Sequence, residues 1–370
     1  MDMLKERAET GRIYIMNIDH CNTHSSFKDK ITMSNLCQEI TLPTDPIQHI
    51  DGEGEIALCI LSAINVGKVN NVDELEPLCE LAVRSLDEII DHQKYPVKAA
   101  EVSTKARRSL GIGYIGLAHY IAKNKLKYSD KGAWKLVDEL TEAFQFYLLK
   151  HSNELAKEKG KNEFFDRTKY SDGILPIDTY KPEVDEIVKR KLSFDWEWLR
   201  KEIKQHGLRH STLSAQMPSE SSSVVSNATN GIEPPRDYLS IKKSKKGTLK
   251  QIVPQYQTLK NNYTLLWDMK DNEGYINIVA VMQKYFDQAI SGNWSYNPEN
   301  YEDNQVPVSV MAQDLLSTYR LGWKTSYYQN TYDAKKDIDE PSHPVGWNDN
   351  VEETKPSTLQ AEEDCDSCTI

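Results

Sequence analysis

The chain has 370 residues, 39% of them hydrophobic and 27% charged, and a formal net charge of −11. That is enough chain for one large or two ordinary globular domains, and the acidic balance argues against a polymeric nucleic acid as partner, because no basic excess exists to displace counterions. No run of about 18 apolar residues could cross a membrane, the N-terminus lacks the apolar core of a signal peptide, and six cysteines spread over the chain fit reduced thiols in a cytoplasmic setting better than a disulfide framework.

In chain order, residues 3–10 read as a charged helix stopped by Gly11. Residues 12–18 read as an apolar strand leading through His20-Cys21-Asn22 into a polar loop. So short an opening suggests a start inside a larger fold. Ser34-Asn35-Leu36-Cys37-Gln38-Glu39-Ile40 follows. In an extended backbone Asn35, Cys37 and Glu39 share one side, an amide, a thiol and a carboxylate on a ridge about 13 Å long, with Leu36, Gln38 and Ile40 on the other. A plain strand with one buried cysteine has the same spacing. Cys59 lies in an apolar strand-like run, 56–61, where a structural cysteine is the default reading.

Residues 73–91 carry a helical apolar stripe of Leu75, Leu78, Cys79, Ala82, Val83, Leu86, Ile89 and Ile90, which makes Cys79 core. Gly111, Gly113 and Gly116 have GxGxxG spacing inside an apolar, helix-like run with no strand before it, so they read as close-packing glycines and not as a nucleotide fingerprint. Residues 134–155 form a second amphipathic helix with Leu140, Phe144, Tyr147 and Leu148 inward, and 159–174 read as loops. Asp195 caps a short helix that stops at Gly207.

Residues 213–217 are a strand candidate running into Pro218-Ser219-Glu220-Ser221-Ser222, a helix start with proline in its first turn and a run of hydroxyls. Such a start is either an anion site, since amides and dipole face one way, or an ordinary capped helix. Gly231 should end that helix, and Pro234-Pro235 block its continuation. A hairpin at about 237–253, turning in the basic run 242–247, precedes helices at 275–291 and 308–321 and a last strand at 323–328. The adjacent Tyr327 and Tyr328 would point to opposite faces of that strand. Residues 333–364 read as a flexible tail. It ends in Cys365-x-x-Cys368, either half a zinc site without its second half or a dithiol placed for thiol–disulfide exchange.

Taken together, Ser34-Asn35-Leu36-Cys37-x-Glu39 resembles the finger loop of class I ribonucleotide reductase large subunits. Thr10-Gly11-Arg12-Ile13-Tyr14, Ala57-Leu58-Cys59, Pro218 to Ser222, Asn227 to Arg236, the tyrosine pair and the terminal Cys-x-x-Cys match in the expected order. The resemblance runs over the whole chain but covers only about the C-terminal half of that family's subunit.

The resemblance implies that Cys37 becomes a thiyl radical and that Glu39 is general base on the substrate's 3′-hydroxyl. Asn35 would orient the ribose, while Pro218, Ser219, Glu220, Ser221 and Ser222 hold the substrate diphosphate. Tyr327 and Tyr328 would relay the radical, with Arg12 helping to position them. Cys59 would be half of the redox pair, its partner belonging to the N-terminal half, and Cys365 and Cys368 would renew that pair.

The implied fold is the second half of a ten-stranded α/β barrel with a central finger loop (1–235), a small α/β region carrying the tyrosines (236–332) and a tail (333–370). No metal or cofactor is expected to be bound directly. Expected partners are an N-terminal half, a metal-containing small subunit that supplies the radical, thioredoxin or glutaredoxin, and a ribonucleoside diphosphate. Because the chain begins with Met and keeps each motif, a separately encoded half is the favoured expectation. A non-catalytic remnant that binds the small subunit, and a free-standing thiol oxidoreductase, are the alternatives.

Overall fold

Leu110–Ile115, read from the sequence as a helix-like apolar run, folds as a strand buried on both faces, with all six residues buried. The computed structural model describes residues 2–47, 49, 54–244 and 247–333. Most of the expected tail, with Cys365 and Cys368, lies outside them. Among the described residues the strands are β1 (Ile15–Met16), β2 (Ile60–Asn65), β3 (Leu110–Ile115), β4 (Leu239–Ser244), β5 (Gly247–Ile252), β6 (Trp294–Tyr296), β7 (Thr325–Ser326) and β8 (Gln329–Thr331).

The sheet that positions the site is a run of parallel pairings. β2 pairs with β3, Ile60 opposite Leu110. β3 then bridges to the 212–216 segment at Ile112 and Ser214, and that segment bridges to 288–291 at Gln216 and Ile290. The run ends with Tyr327 N–H bonded to Gly292 O and β6 parallel to β8. β1 lies antiparallel on β7 at the far side. The content is mixed α/β, and no closed barrel forms among the described residues. The helices Leu75–His92, Lys131–Lys159 and Glu273–Gln283 pack together beside this sheet. One cluster from Leu4 to Trp323 forms the main core, and a smaller one around Cys21, Phe27, Ile31 and Leu42 sits under the loop before β2.

Several expectations hold. The first helix is Asp2–Thr10, closed by Gly11 at φ 71°. Asp195 accepts from Trp198 N–H to open Trp196–His206, which Gly207 ends. Cys79, Leu140, Phe144, Tyr147 and Leu148 are buried, and β4 and β5 form the hairpin.

Others are corrected. The strand expected at 12–18 shrinks to β1, because Ile18–Thr23 folds as a helix whose His20 and Cys21 reach the Trp323 and Lys324 carbonyls. Leu78 and Ile89 face outward, 38% and 44% exposed. Gly111 and Gly113 lie within a strand and not a helix. The close-packing reading survives: a Cβ on Gly113 would stand 2.6 Å from Ala215 O, and one on Gly111 2.8 Å from Cys59 Sγ. The helix expected to run to Gly231 is Glu220–Val225 only, ended where Asn227 turns left-handed at φ 48°. The helix expected over 275–291 stops at Gln283. No glycine or proline marks that stop. The Gln283 amide and the buried Lys324 ammonium satisfy the carbonyls of 286–288 and turn the chain into the sheet.

Candidate active site

The expected ridge of Asn35, Cys37 and Glu39 is not extended. Residues 35–40 close on themselves: Asn35 N–H bonds to Ile40 O, Gln38 N–H to Asn35 O, and the Asn35 side-chain oxygen accepts from Ile40 N–H. Gln38 takes φ 68°, a left-handed conformation that reverses the chain. The face assignment fails with it. Leu36 is 64% exposed, whereas Gln38 and Glu39 are buried. The loop still brings two of its groups together, because Asn35 is hydrogen-bonded to the Glu39 carboxyl.

The sheet holds this loop from below. Ala289 N–H bonds to Glu39 O, and Gln288 bonds at once to Thr41 N–H, the Cys59 sulfur and Leu110 O. Ser291 Oγ stands 2.5 Å from Cys37 O and 3.2 Å from Glu39 Oε2. Ile40 and Cys59 pack on the same small core. Its outer wall is an ion cluster in which Arg107 and Arg167 both bond Asp29 and Glu55.

The Tyr327 hydroxyl donates to Cys37 Sγ at 3.3 Å. The two tyrosines do not point to opposite faces. The strand is interrupted between β7 and β8, where Tyr328 N–H bonds to the Asn293 side chain instead of a neighbouring strand, so the ring centroids of Tyr327 and Tyr328 come within 4.1 Å. Tyr14 packs against both, tilted on Tyr327 at 4.7 Å and edge-on to Tyr328 at 5.3 Å, and its hydroxyl is hydrogen-bonded to both. Arg12 is exposed, and the Arg7 guanidinium bonds Ile13 O and Tyr328 O.

Burial sets the electrostatics. It raises the Glu39 carboxyl above the usual carboxylate range, while hydrogen bonds from Asn35 and Ser291 pull the other way. Burial likewise pushes the Cys59 thiol and the Tyr327 phenol upward, and contact with Cys37 adds to the latter. A protonated Tyr327 phenol donating to the Cys37 sulfur suits hydrogen-atom exchange better than ionic chemistry. Cys21 is buried against Lys324 O and its thiol is pushed up to about 11, which marks it as structural.

The hydroxyl-rich turn follows the 212–216 segment. Since Gln216 pairs with Ile290, one residue before Ser291, the turn and the Cys37 loop lie over the same end of the sheet. Pro218 is not in the first turn: it is exposed and precedes the N-cap, Ser219. Ser219 is buried and donates to Met217 O, while Ser221 and Ser222 are exposed at the open side of a six-residue helix beginning at Glu220.

Gln288, Ser291, Asn293 and Tyr14 were missed by sequence reasoning. The first two were hidden in an expected helix, although Ser291-Gly292-Asn293 at its end was a turn signal. Tyr14 sat in plain view in a matched motif.

The family described as ribonucleotide reductase, barrel domain, matches residues 1–329. The chain is 58% identical over 342 residues to the ribonucleoside-diphosphate reductase subunit alpha of Haemophilus influenzae, covering 91% of this chain and 45% of that protein. It is 54% identical over 354 residues to subunit alpha of reductase 1 from Escherichia coli, covering 95% and 46%. To the subunit alpha of Enterobacteria phage T4 it is 42% identical over 339 residues, covering 90% and 44%. The chain thus spans a little under half the length of these relatives.

Proposed function

We propose, from the premise that this chain belongs to the ribonucleotide reductase barrel-domain family, that it carries the radical-bearing part of a ribonucleoside-diphosphate reductase. The observation that carries the reading is the Tyr327 hydroxyl 3.3 Å from Cys37 Sγ, with the Tyr328 ring tilted against it at 4.1 Å and the buried Glu39 carboxyl on the same loop as Cys37. The remaining strands of a ten-stranded barrel would come from the rest of the subunit. The uncovered edge of β2, with Leu61 43% exposed, and the apolar loop tip, with Met33 57% and Leu36 64% exposed, support that completion.

In this reading a radical supplied by a metal-containing small subunit passes through Tyr328 to Tyr327, which takes the hydrogen atom of the Cys37 thiol. The thiyl radical abstracts hydrogen from the 3′ carbon of the ribose, and Glu39 takes the 3′-hydroxyl proton. The 2′-hydroxyl then leaves as water with a proton from the redox dithiol, and the dithiol's second proton and two electrons complete the reduction at the 2′ carbon. Glu39 gives its proton back to the 3′ oxygen, and Cys37 returns its hydrogen atom to the 3′ carbon. Asn35 orients the hydroxyls, and Ser219, Ser221 and Ser222 with the amides near Glu220 hold the diphosphate after Pro218. Cys59 and a second cysteine outside this chain supply two electrons and become a disulfide. Cys365 and Cys368 reduce that disulfide by exchange and are renewed by thioredoxin or glutaredoxin.

The test is reduction of a ribonucleoside diphosphate by this chain with a small subunit, with and without a separately produced remainder of the large subunit. Turnover is expected only in the full mixture, and Cys37→Ser and Tyr327→Phe should each lower it to background while substrate binding is retained. A stable complex of all parts with no turnover would overturn the reading and favour a chain that only binds the small subunit.

A further inference from the structure

Ser291 has one hydroxyl proton and two acceptors within reach. Its Oγ is 2.5 Å from the carbonyl of Cys37 and 3.2 Å from Glu39 Oε2, and a serine hydroxyl donates only once. The two contacts therefore cannot both be donated bonds while Glu39 is a carboxylate. They can both be satisfied when Glu39 is a carboxylic acid, because the acid then donates to Oγ and Oγ donates to the carbonyl. Ser291 is 8% exposed and Glu39 2%, so water is a poor substitute for either bond. The backbone around Ser291 is fixed, with Ser291 N–H on Gln216 O and Ala289 N–H on Glu39 O, which leaves the hydroxyl rotor as the moving part.

The other groups facing Glu39 are Asn35 of its own loop, its own backbone N–H, and the Cys59 thiol from the segment before β2. Among the described residues no lysine or arginine pairs with Glu39. Its ionisation is therefore answered by neutral hydrogen-bond donors, and of these only Ser291 also holds the Cys37 backbone.

We propose that Ser291 is a positioning residue that couples the protonation of Glu39 to the radical-bearing loop. Its proton turns to the Glu39 carboxylate when the base is ionised, and to the Cys37 carbonyl once Glu39 has taken up a proton. Resting on the reductase reading above, this means that proton capture from the substrate tightens the Cys37 backbone in the same event, with one proton gained by Glu39 and none lost from the site. The carbonyl adjoining the thiyl-bearing side chain is then held while the radical acts on the sugar.

The test is isotope-edited infrared spectroscopy of the full chain with ¹³C at the cysteine carbonyls, the Cys37 band being assigned by its loss in Cys37→Ser. Expected is a Cys37 carbonyl band that moves to higher frequency, with a single midpoint, as Glu39 ionises on raising the pH, and that is motionless in Glu39→Gln. In Ser291→Ala the Cys37 band should no longer titrate, and the Glu39 midpoint, followed by the ¹³C-glutamate carboxyl band that is lost in Glu39→Gln, should rise by about one pH unit, the size of a lost hydrogen bond to a charged group. Ser291→Thr should restore both. A Cys37 band that stays flat through the Glu39 titration in the unsubstituted chain would overturn the proposal, as would a Glu39 midpoint unmoved in Ser291→Ala. None of these readouts needs turnover, so a failure of the reductase reading shows itself separately, as absent activity in the reconstituted mixture.

Discussion

At the scale of single residues, the site depends on burying groups in their neutral forms and bringing them into contact. Glu39 illustrates the consequence. A general base must be ionised to accept a proton, and burial has raised its carboxyl. Turnover in a reconstituted enzyme should therefore fall on the acid side at a pH above that of an ordinary glutamate, and Glu39→Gln should remove that acid limb together with most of kcat. A pH–rate profile with its acid limb at the ordinary carboxylate value would contradict this. Cys37, Glu39 and Cys59 were proposed from the chain alone because the motifs around them resemble those of the family. Ser291 and Gln288 were not, since each acts through partners about 230 to 250 residues away.

At the scale of elements, close approach of strands is what the glycines of β3 provide. A Cβ at Gly113 would meet the Ala215 carbonyl at 2.6 Å, and backbone cannot step aside as a flexible side chain can. Gly113→Ala should cost about 1–3 kcal/mol of stability by the overpacking argument, read as a lower denaturant midpoint at unchanged slope. A midpoint equal to that of the parent chain would show that the strands have slack. The GxGxxG spacing was legible, and so was its packing role. The element type was not, because a short apolar run suits a buried strand and a buried helix equally. The end of Glu273–Gln283 was illegible for a related reason: its stop is set by Gln283 and by Lys324, 41 residues on, and not by a local breaker.

At the scale of the whole molecule, buried charge ties the helices to the sheet. Asp87 is fully buried and bonds Arg108, Arg209, Lys159 and His210. These neighbours hold its carboxyl well below the usual range, and burial holds His210 below the ordinary imidazole value. Both shifts act in the same direction. A depressed carboxylate stabilises the fold above its unfolded value and loses that contribution as pH falls, and a histidine kept neutral when folded resists protonation below about 6.5. Stability should thus decline steadily on acidification from neutral pH. Asp87→Asn, which removes the one fully buried anion among these cations, should cost about 3–5 kcal/mol at pH 7 and flatten the acid decline, as chemical denaturation across pH would reveal. A decline as steep as that of the parent would assign acid sensitivity elsewhere.

The sequence by itself determined the family resemblance, the mixed α/β class, the long helices and the caps at Gly11 and Gly207, because periodicity and capping are local signals. Only the tertiary structure decided that residues 35–40 form a closed loop, that Tyr327 and Tyr328 lie side by side against Tyr14, and that Ser291 stands between Cys37 and Glu39. The loop closes through bonds within 35–40 around a left-handed Gln38, which an alternating side-chain pattern does not reveal, and the other two follow from contacts between segments far apart in the chain, which no local pattern encodes.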